Sequence, residues 1–283
     1  YAEAVRANAT LVPPDRVYPN GIAFQVLSVS IAEIAGIPLQ LLQSTVYPLV
    51  SLSILAMAAF AFYAHVARDG RIAALAVLLL LFQADLLFVT LRGSHEKLDW
   101  PLVMVALRLL WLSFRTSGRA MIAFVGLFYV AVFALASSSV FFASTFLVAV
   151  ALSLLLGLAL MALQRRRLLI SARVRRLGLV ALSCSILIFI FMFYLYPASL
   201  SHFRTLSSVA EQTGVLILGF EARGQPYDYV SATWTSPGIY LGLTLFTWLL
   251  VILSFLEWLR RGWQFLKEGR PLDLPADLDW LLY

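Results

Sequence analysis

Residues 46–67 read "VYPLVSLSILAMAAFAFYAHVA", a run without a single Asp, Glu, Lys or Arg. At about 1.5 Å of rise per residue, about 20 such residues cross the roughly 30 Å hydrocarbon core of a bilayer as one helix. Working outward, the same length rule predicts spans at 72–91, 100–114, 177–196 and 238–256. The apolar run 120–163 is long enough for two, with Ser137, Ser138, Ser139, Ser144 and Thr145 as the hairpin between them. The expectation is an all-α polytopic integral membrane protein of about seven transmembrane helices, since only helices satisfy their own backbone in lipid without closing a barrel.

Composition agrees. Hydrophobic residues make up 61% and charged residues 13% of the chain, and the mean hydropathy is +0.89. An ordinary soluble domain has about 25% charged residues. The net charge of +6 would raise nucleic acid as a partner in a soluble chain, but here the basic residues flank apolar runs and read as topogenic. One set of loops holds Arg68, Arg71, Arg115, Arg119, Arg165, Arg166, Arg167, Arg173, Arg175, Arg176, Arg260, Arg261, Lys267 and Arg270. The opposite set holds Arg6, Arg16, Arg92, Lys97, Arg204 and Arg223. By the positive-inside rule the first set is cytoplasmic, so the protein is read as a multi-pass plasma-membrane protein whose residues 1–20 face outward. Cys184 is the one cysteine, which excludes an intrachain disulfide and a CxxC metal site. The chain opens on Tyr1 without a signal-peptide pattern, so an upstream segment is expected.

Three regions follow. Residues 1–44 form an outer loop and interfacial helices, broken at Gly36 and Pro38 and carrying Gln25, Glu33 and Gln40 among apolar residues. Residues 45–257 form the transmembrane domain, with a long outer loop at 197–237. Residues 258–283 form a cytoplasmic amphipathic helix, containing "EWLRRGWQFLKEGR" from Glu257, and a tail.

The candidate site is the turn "RGSHEKLDW", residues 92–100, which concentrates Arg92, His95, Glu96, Lys97 and Asp99 between two apolar runs on the outer side. Two readings of Asp99 stand: the N-cap of the following helix, with Pro101 in its first turn, or a general base. Deeper down, Asp85 and Arg108 fall at similar depth on neighbouring antiparallel spans. Each charge alone near the bilayer centre would cost about 2.5–3.5 kcal/mol on insertion scales, which predicts an ion pair, either lining a polar pocket with Gln83 or simply locking the hairpin. Arg92, His95 and Lys97 suit a lipid-linked phosphate, and Glu96 and Asp99 suit a base or a divalent cation such as Mg or Mn. No HExxH, Walker, GxGxxG or GxSxG motif accompanies them. His65, near the inner end of the first span, is expected to cap or snorkel.

The order of an outer Tyr-Pro-x-Gly (Tyr18 to Gly21), interfacial "AEIAGIPL", a span, a short basic inner loop, a span ending in "RGSHEKL" and then short-looped hairpins resembles the GT-C class of multi-spanning glycosyltransferases, over about residues 15–165. The resemblance implies transfer of a sugar from a polyprenyl-phosphate donor to an acceptor at the noncytoplasmic face, as in cell-envelope assembly. It implies donor-phosphate contacts at Arg92, His95 and Lys97, supported by Glu96 or Asp99. It also implies a main acidic residue upstream of Tyr1, because neither Glu3 nor Asp15 matches that family position.

In the outer loop 197–237, Tyr227, Asp228, Tyr229 and Trp234 could stack on and bind a sugar or acceptor, or form the aromatic belt of the membrane interface. Two other function classes stay open. A secondary transporter should show broken helices at matching places of two repeats. A noncatalytic scaffold subunit of a cell-envelope assembly should tolerate Ala at Arg92, Glu96 and Asp99.

Overall fold

A computed structural model describes residues 21–83, 86–87, 90, 95–163, 172–195 and 237–268. Every element among the described residues is helical. Three of these helices are long and apolar enough to cross a membrane: Leu39–His65, Gly118–Ser138 and Gly178–Leu195. That is fewer than the seven expected from length alone.

Helix α1 (Ala23–Ala35) stops where expected. Gly36 adopts the left-handed conformation (φ +63°), and the Ile37 N–H folds back to the Ala32 carbonyl at 3.1 Å. This is a glycine-terminated helix end, and Pro38 prevents continuation. The short helix Leu39–Leu41 is not an isolated interfacial piece. It runs through a wide turn, Leu42–Val46, straight into α2 (Tyr47–Ala67), so the first span starts earlier than residue 46. Pro48 explains the wide turn: it has no N–H for the carbonyl four residues back, Ser44, and its ring crowds that carbonyl, so the helix opens there.

Arg68 ends α2 in the left-handed conformation, and Asp69 caps α3 (Gly70–Leu81) by accepting the Arg71 N–H at 2.7 Å. The second expected span, 72–91, is interrupted after α3. Phe82 leaves the helical path, and beyond it the Leu87 N–H donates to the Gln83 carbonyl at 3.0 Å. Helix α4 (Glu96–Arg115) carries Glu96, Lys97, Asp99, Arg108 and Arg115 and is too charged to qualify as an apolar span. It starts with His95 at the N-cap position, so Asp99 lies in the first turn and is not the cap, and Pro101 lies inside the helix.

Helices α5 (Gly118–Ser138) and α6 (Val140–Leu163) confirm the expected hairpin. The break is one residue, extended Ser139, whose Oγ accepts the Phe142 N–H at 3.3 Å and starts α6. Thr145 lies inside α6, its hydroxyl donating to the Phe141 carbonyl, and Ser144 is helical too, so neither belongs to the turn. Helix α7 (Ala172–Ile190) ends in a wide turn, Phe191–Leu195. Helix α8 runs unbroken from Pro237 to Glu268, across the expected boundary at 257.

Helix α4 is central, packed on α2 and on α5. One apolar cluster joins α4, α5, α6 and α7 around Leu110, Val132, Leu135 and Ile188. A second joins α2, α3 and α4 around Leu55, Ala59, Val77 and Trp111, and a third holds α1 on the start of α2 through Phe24, Leu42 and Tyr47. The outward faces stay apolar: Met57, Ile122 and Val130 are each more than 60% exposed. Large exposed apolar faces on every long span are what a hydrocarbon solvent permits.

Candidate functional site

The four described residues of the charged turn fold inward. His95 is 3% exposed, and Lys97 and Asp99 are fully buried. Two prolines account for much of this geometry. Pro101 cannot donate to the carbonyl of Lys97 four residues back, and that carbonyl instead receives the Ser51 hydroxyl of α2. The Lys97 ammonium donates to the Gln43 carbonyl at 2.8 Å, within the turn opened upstream of Pro48. Ser51 and Lys97 thus stitch α2 to α4 wherever a proline has disturbed a backbone ladder.

Asp99 serves no such repair. Both of its carboxylate oxygens are buried, and the hydroxyl beside them, that of Ser138, meets the carboxyl without the geometry of a full hydrogen bond; one carboxylate oxygen of Glu96 is buried as well. The imidazole Nε2 of His95, one helical turn back, lies 3.6 Å from Asp99 Oδ2. Asp99 and Lys97 precede the apolar part of α4, which begins at Trp100. Burial holds the Asp99 carboxyl well above its usual range, with the Ser138 hydroxyl pulling it back and the Glu96 charge pushing it further up. Burial pushes the Lys97 ammonium down to about 8, against the opposing pull of Glu96. The Thr90 hydroxyl, at the same end of the bundle, is also buried and unpartnered, and the Tyr47 hydroxyl meets Ser28. Buried polar atoms in native proteins are nearly all bonded, so this concentration marks the end of the bundle where a polar ligand fits.

Next to this polar centre is a groove of about 320 Å³ between α1, α2, α4 and α5. Its walls are apolar, from Phe24, Leu27, Ile54, Leu102 and Val105, and its hydroxyls come from Ser51, Ser137 and Ser138. The segment before α1 docks on the α5–α6 break. The Ile22 N–H donates to the Ser137 carbonyl at 2.9 Å, and a Cβ on Gly21 would strike the Ser137 and Ser138 carbonyls.

Of the expected site residues, His95, Glu96, Lys97 and Asp99 are therefore gathered on the first turn of α4. Lys97 turns toward α2 while Asp99 turns toward the α5–α6 break, so they do not share one ligand-facing surface. Asp85, Arg92, Tyr227, Asp228, Tyr229 and Trp234 lie outside the described residues. Arg108, the expected partner of Asp85, places its guanidinium 5.2 Å from the Trp111 ring centre, toward the other end of α4. Among the described residues no three His, Cys, Asp or Glu side chains converge. Ser51 and Gln43 were not expected, whereas Ser138 belongs to the hairpin read from the sequence. The signal for Ser51 lay in Pro101, which frees the carbonyl that Ser51 takes.

No protein-family profile matches the chain, and neither a curated protein nor a solved structure matches it.

Proposed function

We propose that the chain is a membrane glycosyltransferase that moves a sugar from a polyprenyl-phosphate donor to an acceptor at the outer face of the membrane. The observation that carries this reading is the adjoining of two environments: an apolar groove lined in part by Ser51, Ser137 and Ser138, and beside Ser138 a fully buried carboxyl, Asp99. An isoprenoid chain suits the apolar walls. In this reading Arg92 and His95 meet the phosphate, and the Asp99–His95 pair accepts the acceptor's proton as the sugar leaves phosphate, with Glu96 beside them. The outer residues Tyr227, Asp228, Tyr229 and Trp234 bind the sugar or acceptor.

The same proposal keeps seven spans. The interrupted α3 segment, α4, α6 and α8 join the three long apolar helices, with Arg108 as the one deep charge of α4. Cysteine-accessibility labelling at position 96, which is only partly buried, then finds it open only from the noncytoplasmic side, and reaction from the cytoplasmic side refutes this topology.

The activity test uses the purified chain in lipid nanodiscs with a radiolabelled polyprenyl-phosphate sugar, comparing Asp99→Asn and Glu96→Gln with the parent. Asp99→Asn keeps the shape and removes the proton acceptor, so it folds as well as the parent while transfer or donor hydrolysis falls by about 10²-fold or more. Unchanged turnover in both variants removes the catalytic reading. One observation favours a second function, a noncatalytic assembly subunit: Lys97 is fully buried and its ammonium is committed to Gln43. That reading predicts no donor turnover by the parent chain.

A further inference from the structure

Helix α4 carries a second groove on its other side. Each helical residue turns by about 100° from the one before, so Leu98, Pro101, Leu102 and Val105, which line the groove already described, share one face of α4. Trp100, Val103 and Leu107 fall on the opposite face, and with Phe142, Phe146 and Ala149 of α6 they line a groove of about 290 Å³. An apolar cavity of about 150 Å³ already takes a benzene ring, so a stretch of alkyl chain fits here. The wall presents hydrocarbon. Its two hydroxyls are spent on their own helix, Thr145 donating to the Phe141 carbonyl at 2.9 Å and Ser153 to the Ala149 carbonyl at 2.8 Å.

Both grooves start at the α5–α6 break. At the head of the second, Trp100 meets Phe142 edge-on at 5.6 Å, and the Phe142 N–H donates to the Oγ of Ser139, the residue of the break itself. Its neighbour Ser138 lines the first groove and meets Asp99. Asp99 and His95 lie on the strip of α4 between the two faces. From Phe142 to Ser153 the second groove runs down α6 for about 16 Å at about 1.5 Å per residue.

We infer that the α4–α6 groove holds the aliphatic chain of the acceptor, which is then a membrane lipid carrying a free hydroxyl, an inference that rests on the glycosyltransferase reading above. Direct displacement at the sugar carbon brings the acceptor oxygen in opposite the departing phosphate oxygen. Grooves on opposite faces of α4, with Asp99 on the strip between them, bring two lipid-borne head groups to one sugar from those two sides. The acceptor oxygen bonds to the sugar carbon as the bond from that carbon to the phosphate oxygen breaks. The electron pair leaves with the polyprenyl phosphate, and the hydroxyl proton passes to the Asp99–His95 pair. A water-soluble acceptor would make no use of a wall that offers it no polar atom.

The test places the chain in lipid nanodiscs with a radiolabelled polyprenyl-phosphate sugar and a hexadecanol that carries a diazirine in its chain, for the parent and for A149W, T145F and I122W. Ala149 and Thr145 are exposed residues of the groove wall, so either substitution fills the groove without entering the core. I122W adds bulk at an exposed position of α5 outside both groove walls. In the parent, photolabelling saturates on the α4–α6 groove and the alcohol receives the sugar. A149W and T145F each lower the labelling, and the ratio of transfer to donor hydrolysis, by about tenfold or more, while I122W changes neither by more than about twofold. Labelling that does not saturate, or that A149W and T145F leave unchanged, identifies ordinary bilayer lipid and overturns the proposal. Saturable labelling confined to the α1–α2 groove overturns it too. Donor hydrolysis with an unchanged transfer ratio in A149W and T145F overturns the lipid acceptor alone. A parent chain that turns over no donor, with or without the alcohol, instead defeats the glycosyltransferase reading, and the acceptor assignment falls with it.

Discussion

Replacing Ser51 with alanine tests the reasoning that built the polar centre. Its hydroxyl donates to the Lys97 carbonyl, which is buried and which Pro101 cannot satisfy. Loss of that donor strands one carbonyl in an apolar interior, at a cost of about 1–3 kcal/mol. In the Pro101→Ala background the new N–H at position 101 restores the helical bond to the same carbonyl, and Ser51→Ala then costs about 0.5 kcal/mol or less. The coupling energy in the four-member cycle is therefore about 1–2 kcal/mol, or about 3–8 °C of apparent melting temperature at this chain size. The chain carries its own reporter: Cys184, the one cysteine, is 2% exposed, so reaction with a fluorogenic maleimide during heating in detergent follows unfolding. An equal Ser51→Ala loss in both backgrounds would show that the hydroxyl does not substitute for the N–H that proline lacks. That result would also remove the explanation for the α2–α4 contact.

Gly21→Ala places a methyl group against the Ser137 and Ser138 carbonyls and lowers stability by about 1–3 kcal/mol, read by the same thiol assay; an unchanged melting curve would mean that the segment before α1 does not dock on the α5–α6 break. Ile54→Trp fills the groove from a position that is 41% exposed, so melting stays within about 1 kcal/mol of the parent while polyprenyl-phosphate retention is lost, and retained binding argues that the chain sits elsewhere. Lys97→Met removes the bond to Gln43 together with the cost of burying an ammonium. The two effects oppose, and donor turnover, if Lys97 has only a structural role, falls less than about threefold.

What the sequence disclosed depended on whether a signal was local. The Gly36–Pro38 break and the Ser139 hairpin were readable because glycine, proline and serine act on their own backbone within a turn. The start of the first span was misplaced because Gln40, Gln43, Ser44 and Thr45 look like a polar linker, yet their polarity is tolerated within a continuous helix opened by Pro48. Asp99 was a plausible cap because it precedes Pro101 by two positions, but the helix begins three residues before it, at Glu96. Ser51 was invisible for a different reason. It is 46 positions from the carbonyl it serves, and only the packing of α2 on α4 brings the two together. Arg108 could be located by depth, whereas its direction along α4 toward Trp111 depended on side-chain packing.

The two prolines also sort the charged turn into parts with different explanations. Lys97 and Ser51 have structural work, since each supplies a hydrogen bond where proline disturbs a helix, and that work accounts for their burial without any ligand. Asp99 repairs nothing. It sits in the first turn of α4, where the helix dipole favours a carboxylate by about 0.3–1 kcal/mol, while its full burial works the other way and favours the protonated carboxyl. A sequence optimised for stability alone would place an apolar residue there. The burial of Asp99 beside Ser138 and His95 directs the functional reading to this carboxyl and not to the turn as a whole.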